Sequence, residues 1–159
     1  MSAAQDWDAE RASARIHELE KMPGALLPIL QALQQDFGYV DPSAVPVIAE
    51  ALNLSVAEVH GVISFYHDFH THPKGRHVLK MCRAEACQSM GCDSVIEHVE
   101  KRLDIKLGGT TADGALTVEA IYCLGNCALC PSVMLDGKLY GRASKDVVDF
   151  LVDSVRRMQ

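Results

Sequence analysis

Hydrophobic residues recur every three or four positions in the first 75 residues, a spacing typical of amphipathic helices. Four helices are predicted there, over about residues 8–21, 25–38, 41–52 and 55–69. Gly38 is placed to end the second helix. Ser55 and Glu58 form a capping-box pattern at the start of the fourth helix. The first half of the chain is therefore expected to be a helical bundle.

After residue 75 the pattern changes to short apolar runs separated by turn residues. The predicted elements are, in order, a strand (77–81), a helix (92–103), a strand (115–123), a hairpin of two strands (132–142) and a closing helix (144–158). Asp136-Gly137 is a strong signal for the hairpin turn. We therefore predict an α+β fold, with a helical bundle over residues 1–75 and a second domain over residues 76–159.

Two of these patterns also predict which side chains face the core. Alternation in the strand at 115–123 predicts one apolar face made of Leu116, Val118, Ala120 and Tyr122. Helical spacing in the closing helix predicts an inward face made of Val147, Phe150, Leu151 and Val155.

The composition is ordinary for a globular protein, with 48% hydrophobic and 23% charged residues. No apolar run is long enough to span a bilayer, and the acidic N-terminal segment lacks the apolar core of a signal peptide. We therefore expect a cytoplasmic protein without direct membrane insertion. Only four of the 15 basic residues but ten of the 21 acidic residues precede residue 76, so the whole net charge of −6 lies in the first half. This charge argues against nucleic-acid binding, which requires a basic face.

All six cysteines of the chain fall in two short stretches, "MCRAEACQSMGC" and "IYCLGNCALCP". Six cysteines in a secreted protein would suggest disulfides, but clustered cysteines in a reducing compartment more often bind metal or carry out redox chemistry. Each stretch begins where a predicted strand ends. Two loops at the same end of a small sheet can place four thiolates around one metal centre, and thiolate is the ligand of iron–sulfur clusters and also of Zn²⁺.

Spacing alone leaves several assignments open. The simplest ligand set consists of the C-x4-C pair and the C-x3-C pair, namely Cys82, Cys87, Cys123 and Cys127. A structural zinc site could instead combine the first pair with Cys127 and Cys130. A thioredoxin-like oxidoreductase using these last two cysteines is disfavoured, because its motif should open a helix whereas Pro131 precedes strand-like sequence. The second stretch also imitates the spacing of radical S-adenosylmethionine enzymes, whose barrel this chain is too short to build.

The remaining sequence contains no catalytic triad, phosphate-binding loop, dinucleotide fingerprint or carboxylate pair placed for acid–base chemistry. We therefore predict no catalytic residue in this chain, and no means to bind NAD, flavin or molybdopterin by itself.

The pattern C-x4-C followed by "CLGNC" and "CP", with "TTADG" between them, resembles the thioredoxin-like [2Fe–2S] ferredoxins. These include the 24-kDa-type subunit of NADH:quinone oxidoreductase and related subunits of NAD-linked hydrogenases and formate dehydrogenases. The segments "PGALLPILQALQQDFGYV", "VPVIAEALNLS" and "EVHGVISFYHDF" are similar to the N-terminal helical region of that family. The segments "CRAEACQSMG" and "VHGVISFYHDF" look most similar to the gamma subunit of soluble, molybdenum-containing NAD-dependent formate dehydrogenase.

The resemblance implies a thioredoxin-like domain with a four-stranded mixed sheet and flanking helices, preceded by a helical bundle. It places the ligands of one [2Fe–2S] cluster on Cys82, Cys87, Cys123 and Cys127, without requiring Cys92 or Cys130. It implies an electron-transfer subunit of a formate dehydrogenase, or alternatively of a hydrogenase or NADH:quinone oxidoreductase. The expected partners are a subunit that binds FMN, NAD and further Fe–S clusters, and a large formate dehydrogenase subunit that carries the molybdenum cofactor. A zinc-stabilised interaction module is the alternative from another functional class.

Overall fold

The computed structural model describes residues 6–157. The chain divides into two compact units, Met1–Pro73 and Lys74–Gln159. The division lies two residues before the predicted domain boundary. Each unit has a hydrophobic core of its own.

The described part of the first unit contains four helices, α1 (Ala9–Leu19), α2 (Leu26–Phe37), α3 (Ala44–Leu52) and α4 (Val56–Phe65). Gly38 ends α2 in the left-handed conformation, with φ 83°. The predicted capping box at α4 is present, because Ser55 accepts a bond from the Glu58 N–H and the Glu58 carboxylate accepts one from the Ser55 N–H. The glycine that ends α2 and the capping box that begins α4 lie where the sequence predicts them.

The core of the first unit is formed by the inward faces of its helices. Its fully buried members include Ile16, Ile29, Leu30, Leu33, Phe37, Ile48 and Val59. No single helix in residues 6–157 is long and apolar enough to cross a membrane. Only α3 and α4 taken together reach the required length and composition, and they meet at a bend of 115°.

The second unit is built on one four-stranded sheet. Its elements in chain order are β1 (His77–Cys82), α5 (Glu85–Ser89), α6 (Cys92–Leu103), β2 (Leu116–Ile121), a 3₁₀ turn (Cys127–Leu129), β3 (Val133–Leu135), β4 (Lys138–Tyr140) and α7 (Lys145–Arg157). The strand order is β2-β1-β3-β4, with β1 parallel to β2 and the other neighbouring pairs antiparallel. The mixed sheet and its helices confirm the predicted α+β class.

The sheet packs against α6 and α7 through aliphatic side chains. Buried members of this core include Leu79, Met81, Val118 and Val133 from the strands, Val95, Ile96 and Val99 from α6, and Val148, Leu151, Val152 and Val155 from α7.

Three side chains predicted to face the core do not lie there. Phe150 is 64% exposed, because the buried stripe of α7 runs through Val148, Leu151, Val152 and Val155 instead. Tyr122 is 73% exposed and Ala120 is also exposed. Strand β2 ends at Ile121, and its buried stretch stops at Val118, before the cysteine loop begins.

Candidate metal centre

Both cysteine stretches leave the sheet at the same edge. Cys82 is the last residue of β1, and its register partner on the parallel strand β2 is Ile121, the last residue of that strand. The Arg83 N–H donates to the Ile121 carbonyl at 2.8 Å and extends this pairing by one step. Cys123 follows two residues after the end of β2. Because parallel strands end together, the two loops start side by side.

The first loop turns directly into the short helix α5, which carries Cys87. The thiols of Cys82 and Cys87 are both buried and hydrogen-bonded to each other. Burial, assisted by the Cys82 thiol, raises the pKa of Cys87 to about 11. Burial also opposes ionisation of Cys82, but a hydrogen bond from the Ala84 backbone and then one from the Cys87 thiol outweigh it, so the pKa of Cys82 is lowered. The two thiols of the buried pair therefore differ in acidity, with the lower pKa on Cys82.

The second loop holds its two thiols close together on a tightly turned backbone. Cys123 has φ 96° and Gly125 has φ 73°, so two residues of the turn are in the left-handed region. The Gly125 N–H donates to Cys123 Sγ at 3.3 Å. Cys127 opens the 3₁₀ turn, and its Sγ lies 3.9 Å from Cys123 Sγ. Its hydrogen bond to the Cys123 sulfur, followed by the charge of Cys123, raises the pKa of Cys127.

The two loops contact each other through the Cys82 sulfur. The backbones of Leu124 and Cys123, in the second loop, hydrogen-bond to the Cys82 thiol of the first loop. The structure therefore brings together the four cysteines that the sequence predicts as ligands. They form two pairs, one buried and one exposed.

The four thiols lie as two pairs, and this arrangement fits the ligand set of a two-iron cluster. Within residues 6–157, no group of three or more His, Cys, Asp or Glu side chains is placed around a single point. Two thiolates bound to one tetrahedral metal at about 2.3 Å lie about 3.8 Å apart, close to the 3.9 Å between Cys123 and Cys127. A [2Fe–2S] cluster takes four thiolates, two on each iron. The two thiol pairs and their backbone N–H donors match that requirement.

The other two cysteines differ in their surroundings. Cys92 is buried at the start of α6, where burial, followed by the charge of Asp93, raises the pKa of its thiol. Cys130 is half-buried in extended backbone after the 3₁₀ turn. A negative charge on its sulfur adds to the causes that raise the pKa of Cys87 and Cys127. None of the six cysteines forms a disulfide. These contacts do not test whether Cys92 or Cys130 binds the cluster. That neither of them is a ligand stays a prediction.

Three residues at the second loop carry no signal in the sequence. Ser132 is 2% exposed, and its hydroxyl contacts the backbone and side chain of Asn126. Gly141, directly after β4, approaches the same turn so closely that an added Cβ would lie 2.8 Å from Asn126 Nδ2. No short-range pattern marks these residues, because the contacts of Ser132 and Gly141 with Asn126 span six and fifteen positions.

Comparison with known proteins identifies the family of the chain. The family model described as thioredoxin-like [2Fe-2S] ferredoxin matches residues 12–156. One relative, from the NADH-quinone oxidoreductase of Pseudomonas aeruginosa, is 35% identical over 149 residues, covering 92% of this chain and 90% of the relative. Another, the HndA subunit of the NADP-reducing hydrogenase of Solidesulfovibrio fructosivorans, is 34% identical over 129 residues, covering 81% of this chain and 75% of the relative.

A solved structure shares the fold. A crystal structure of NAD+-reducing [NiFe]-hydrogenase in the H2-reduced state superimposes with a TM-score of 0.65 and 25% sequence identity over 82% of this chain. This chain corresponds to 22% of the hydrogenase chain. The match over residues 12–156, the thioredoxin-like sheet and the two thiol pairs agree with one another. The chain therefore belongs to the thioredoxin-like [2Fe–2S] ferredoxin family, whose cofactor is one [2Fe–2S] cluster.

Proposed function

We propose that this chain is the electron-transfer subunit of an NAD-linked oxidoreductase complex, with its cluster held by Cys82, Cys87, Cys123 and Cys127. The observation that carries the proposal is the meeting of two thiol pairs at one sheet edge, where the second loop hydrogen-bonds to the Cys82 sulfur of the first. When bound, a [2Fe–2S] cluster accepts and returns one electron at a time.

The protein around the cysteines holds and tunes this cofactor without taking part in bond chemistry. The backbone N–H groups of Gly125 and Ala84 point at ligand sulfurs. Such hydrogen bonds stabilise the reduced, more negative state and raise the reduction potential. The buried pair at Cys82 and Cys87 excludes water on one side, whereas Cys123 and Cys127 are exposed. The exposed side is the one from which an electron would reach a partner by the shorter path.

The proposed partner is a subunit that binds FMN and NAD and carries further Fe–S clusters. Support comes from the names of the relatives, which are subunits of NADH-quinone oxidoreductase and of an NADP-reducing hydrogenase. The hydrogenase of similar fold is described as NAD+-reducing, and this chain spans about a fifth of its length. The flavin and nicotinamide sites would lie on the partner, since this chain has no motif for either. Such a complex would be cytoplasmic.

These names support membership of a hydrogenase or quinone-reductase complex more directly than the formate dehydrogenase predicted from sequence. Formate dehydrogenase remains a second candidate, on the strength of the segments "CRAEACQSMG" and "VHGVISFYHDF" alone. In that case the complex would also contain a large subunit with the molybdenum cofactor.

Anaerobic copurification from the native source tests the proposal. A tagged copy of this chain should retain a flavin-containing, NAD-binding subunit, and NADH should reduce the cluster in the complex. The isolated chain is the control, and NADH should leave its cluster oxidised. Recovery of the chain without a flavoprotein, or equally fast reduction of the isolated chain, would refute the proposal. Formate-dependent, hydrogen-dependent or quinone-dependent turnover by the same complex would identify the parent enzyme.

A further inference from the structure

Ser132 lies between the two cysteine loops, directly before β3. Its side chain is 2% exposed, and in residues 6–157 only Thr117 is another polar or charged residue buried to this degree. A buried hydroxyl is costly unless its hydrogen bonds are made, so its partners show what it holds in place.

The main chain of Ser132 contacts the first cysteine loop. Its carbonyl accepts a hydrogen bond from the Cys82 N–H at 3.1 Å. Its backbone also hydrogen-bonds to the Cys87 thiol. One peptide segment therefore contacts both cysteines of the buried pair.

The hydroxyl of Ser132 contacts the second loop. It accepts a hydrogen bond from Asn126 Nδ2 at 3.1 Å, and the carbonyls of Asn126 and Leu129 each lie 3.4 Å from it as acceptors. The single hydroxyl proton is shared between these two carbonyls. Cys127 is carried by the turn between Asn126 and Leu129, so the hydroxyl holds both ends of that turn.

We propose that Ser132 is the positioning residue that couples the two thiol pairs, its main chain fixing Cys82 and Cys87 and its hydroxyl fixing the turn of Cys127. This inference rests on the proposed role of these cysteines as cluster ligands. If the hydrogen bonds of the Ser132 hydroxyl only offset the cost of burying it, their loss would lower the stability of the metal-free protein and leave the bound cluster unchanged. A serine that couples the loops also affects how firmly the cluster is held and how uniform its geometry is.

The test uses the cluster-loaded, full-length protein and the variant Ser132→Ala. Transfer of iron from the oxidised protein to an excess of chelator should be about fivefold faster or more, the effect of losing one net hydrogen bond. The EPR spectrum of the reduced variant should show shifted or broadened g values, because the position of the Cys127 sulfur is less sharply defined. Ser154→Ala is the matched control. Its hydroxyl donates to the Leu151 carbonyl within α7, its one hydrogen bond to the described residues. The rate of iron release and the EPR spectrum of this variant should therefore stay at wild-type values.

Asn126→Ala provides a second test, which also serves if Ser132→Ala does not fold. It removes the amide that donates to the Ser132 hydroxyl and should accelerate iron release in the same direction. If the two residues act through each other, the double variant will release iron more slowly than the product of the two single effects predicts. Wild-type release rates and EPR spectra in both single variants would overturn the inference. Wild-type protein without iron and sulfide would instead overturn the proposed function, so the two failures are distinguishable.

Discussion

Gly141 is the position where the smallest possible side chain would disturb the candidate metal centre. A Cβ added there would lie 2.7 Å from Leu129 Cβ, 2.8 Å from Asn126 Nδ2 and 3.0 Å from the Leu129 carbonyl oxygen. Ordinary contacts between such atoms are about 3.5–4.0 Å. In Gly141→Ala the turn that carries Cys127 must therefore retreat by about 0.5–1.3 Å, the difference between these distances.

The turn cannot retreat without breaking other contacts. The N–H of Arg142, the next residue, donates to the Leu129 carbonyl at 2.6 Å, and Asn126 is bonded to Ser132. Gly141 does not have a positive φ, so the expected effect is steric rather than conformational. Overpacking of this kind costs about 1–3 kcal/mol. We expect Gly141→Ala to lower the free energy of unfolding of the second unit by that amount and to shorten the lifetime of the bound cluster.

Urea denaturation of the metal-free protein measures the first effect, and the visible absorbance of the loaded protein in chelator measures the second. Gly61→Ala is the matched control, because Gly61 lies inside α4 and, apart from its own helix backbone and chain neighbours, no atom of residues 6–157 lies within 4 Å of the added Cβ. Alanine there should stabilise the first unit by about 1 kcal/mol, the difference in helix propensity, without affecting the cluster. Unchanged stability and cluster lifetime in Gly141→Ala would refute the close approach of this residue to the cysteine turn.

Further predictions concern other parts of the chain. Leu151→Ala in the buried stripe of α7 should lower the free energy of unfolding by about 2–5 kcal/mol. Phe150→Ala, at an exposed position of the same helix, should change it by less than about 0.5 kcal/mol. Equal losses of stability in urea denaturation would contradict the orientation of α7. Ser55→Ala removes the N-terminal cap of α4 and should cost about 1 kcal/mol in thermal denaturation followed by circular dichroism. The Ser55 N–H, followed by its hydroxyl, lowers the pKa of Glu58. The stabilisation from ionised Glu58 is therefore complete above the pKa of the unfolded state and disappears as the pH falls through the folded pKa. A stability difference between wild type and Glu58→Gln that persisted unchanged in acid would contradict this dependence. Serine replacement should perturb or abolish the cluster EPR signal at any of Cys82, Cys87, Cys123 and Cys127, and should preserve it at Cys92 and Cys130.

Local signals in the sequence were sufficient for most of the fold. Gly38 and the Ser55–Glu58 box mark helix ends because their effects are confined to one turn. Asp136-Gly137 marks the hairpin for the same reason, since both residues have positive φ in the structure. The sequence also predicts that the two cysteine stretches meet, because each follows a strand and neighbouring parallel strands end at the same edge of a sheet.

The parts that were missed depend on distance or on short length. Helix α5 has five residues and the turn at Cys127–Leu129 has three, too few to show a period. Helical spacing alone predicts an inward Phe150, but the position of the buried stripe on α7 is set by packing against the sheet. Ser132 and Gly141 act on the cysteine turn across intervening chain, and no local pattern records such a contact.

The most direct measurement is the iron and acid-labile sulfide content of the anaerobically purified chain, combined with EPR after reduction. We expect red-brown protein with about two iron and two sulfide per chain and the signal of a reduced [2Fe–2S] cluster. The same preparation of a variant with all four predicted ligands replaced by serine should contain neither iron nor sulfide. Colourless wild-type protein with stoichiometric zinc would contradict the assignment of this chain as an electron carrier.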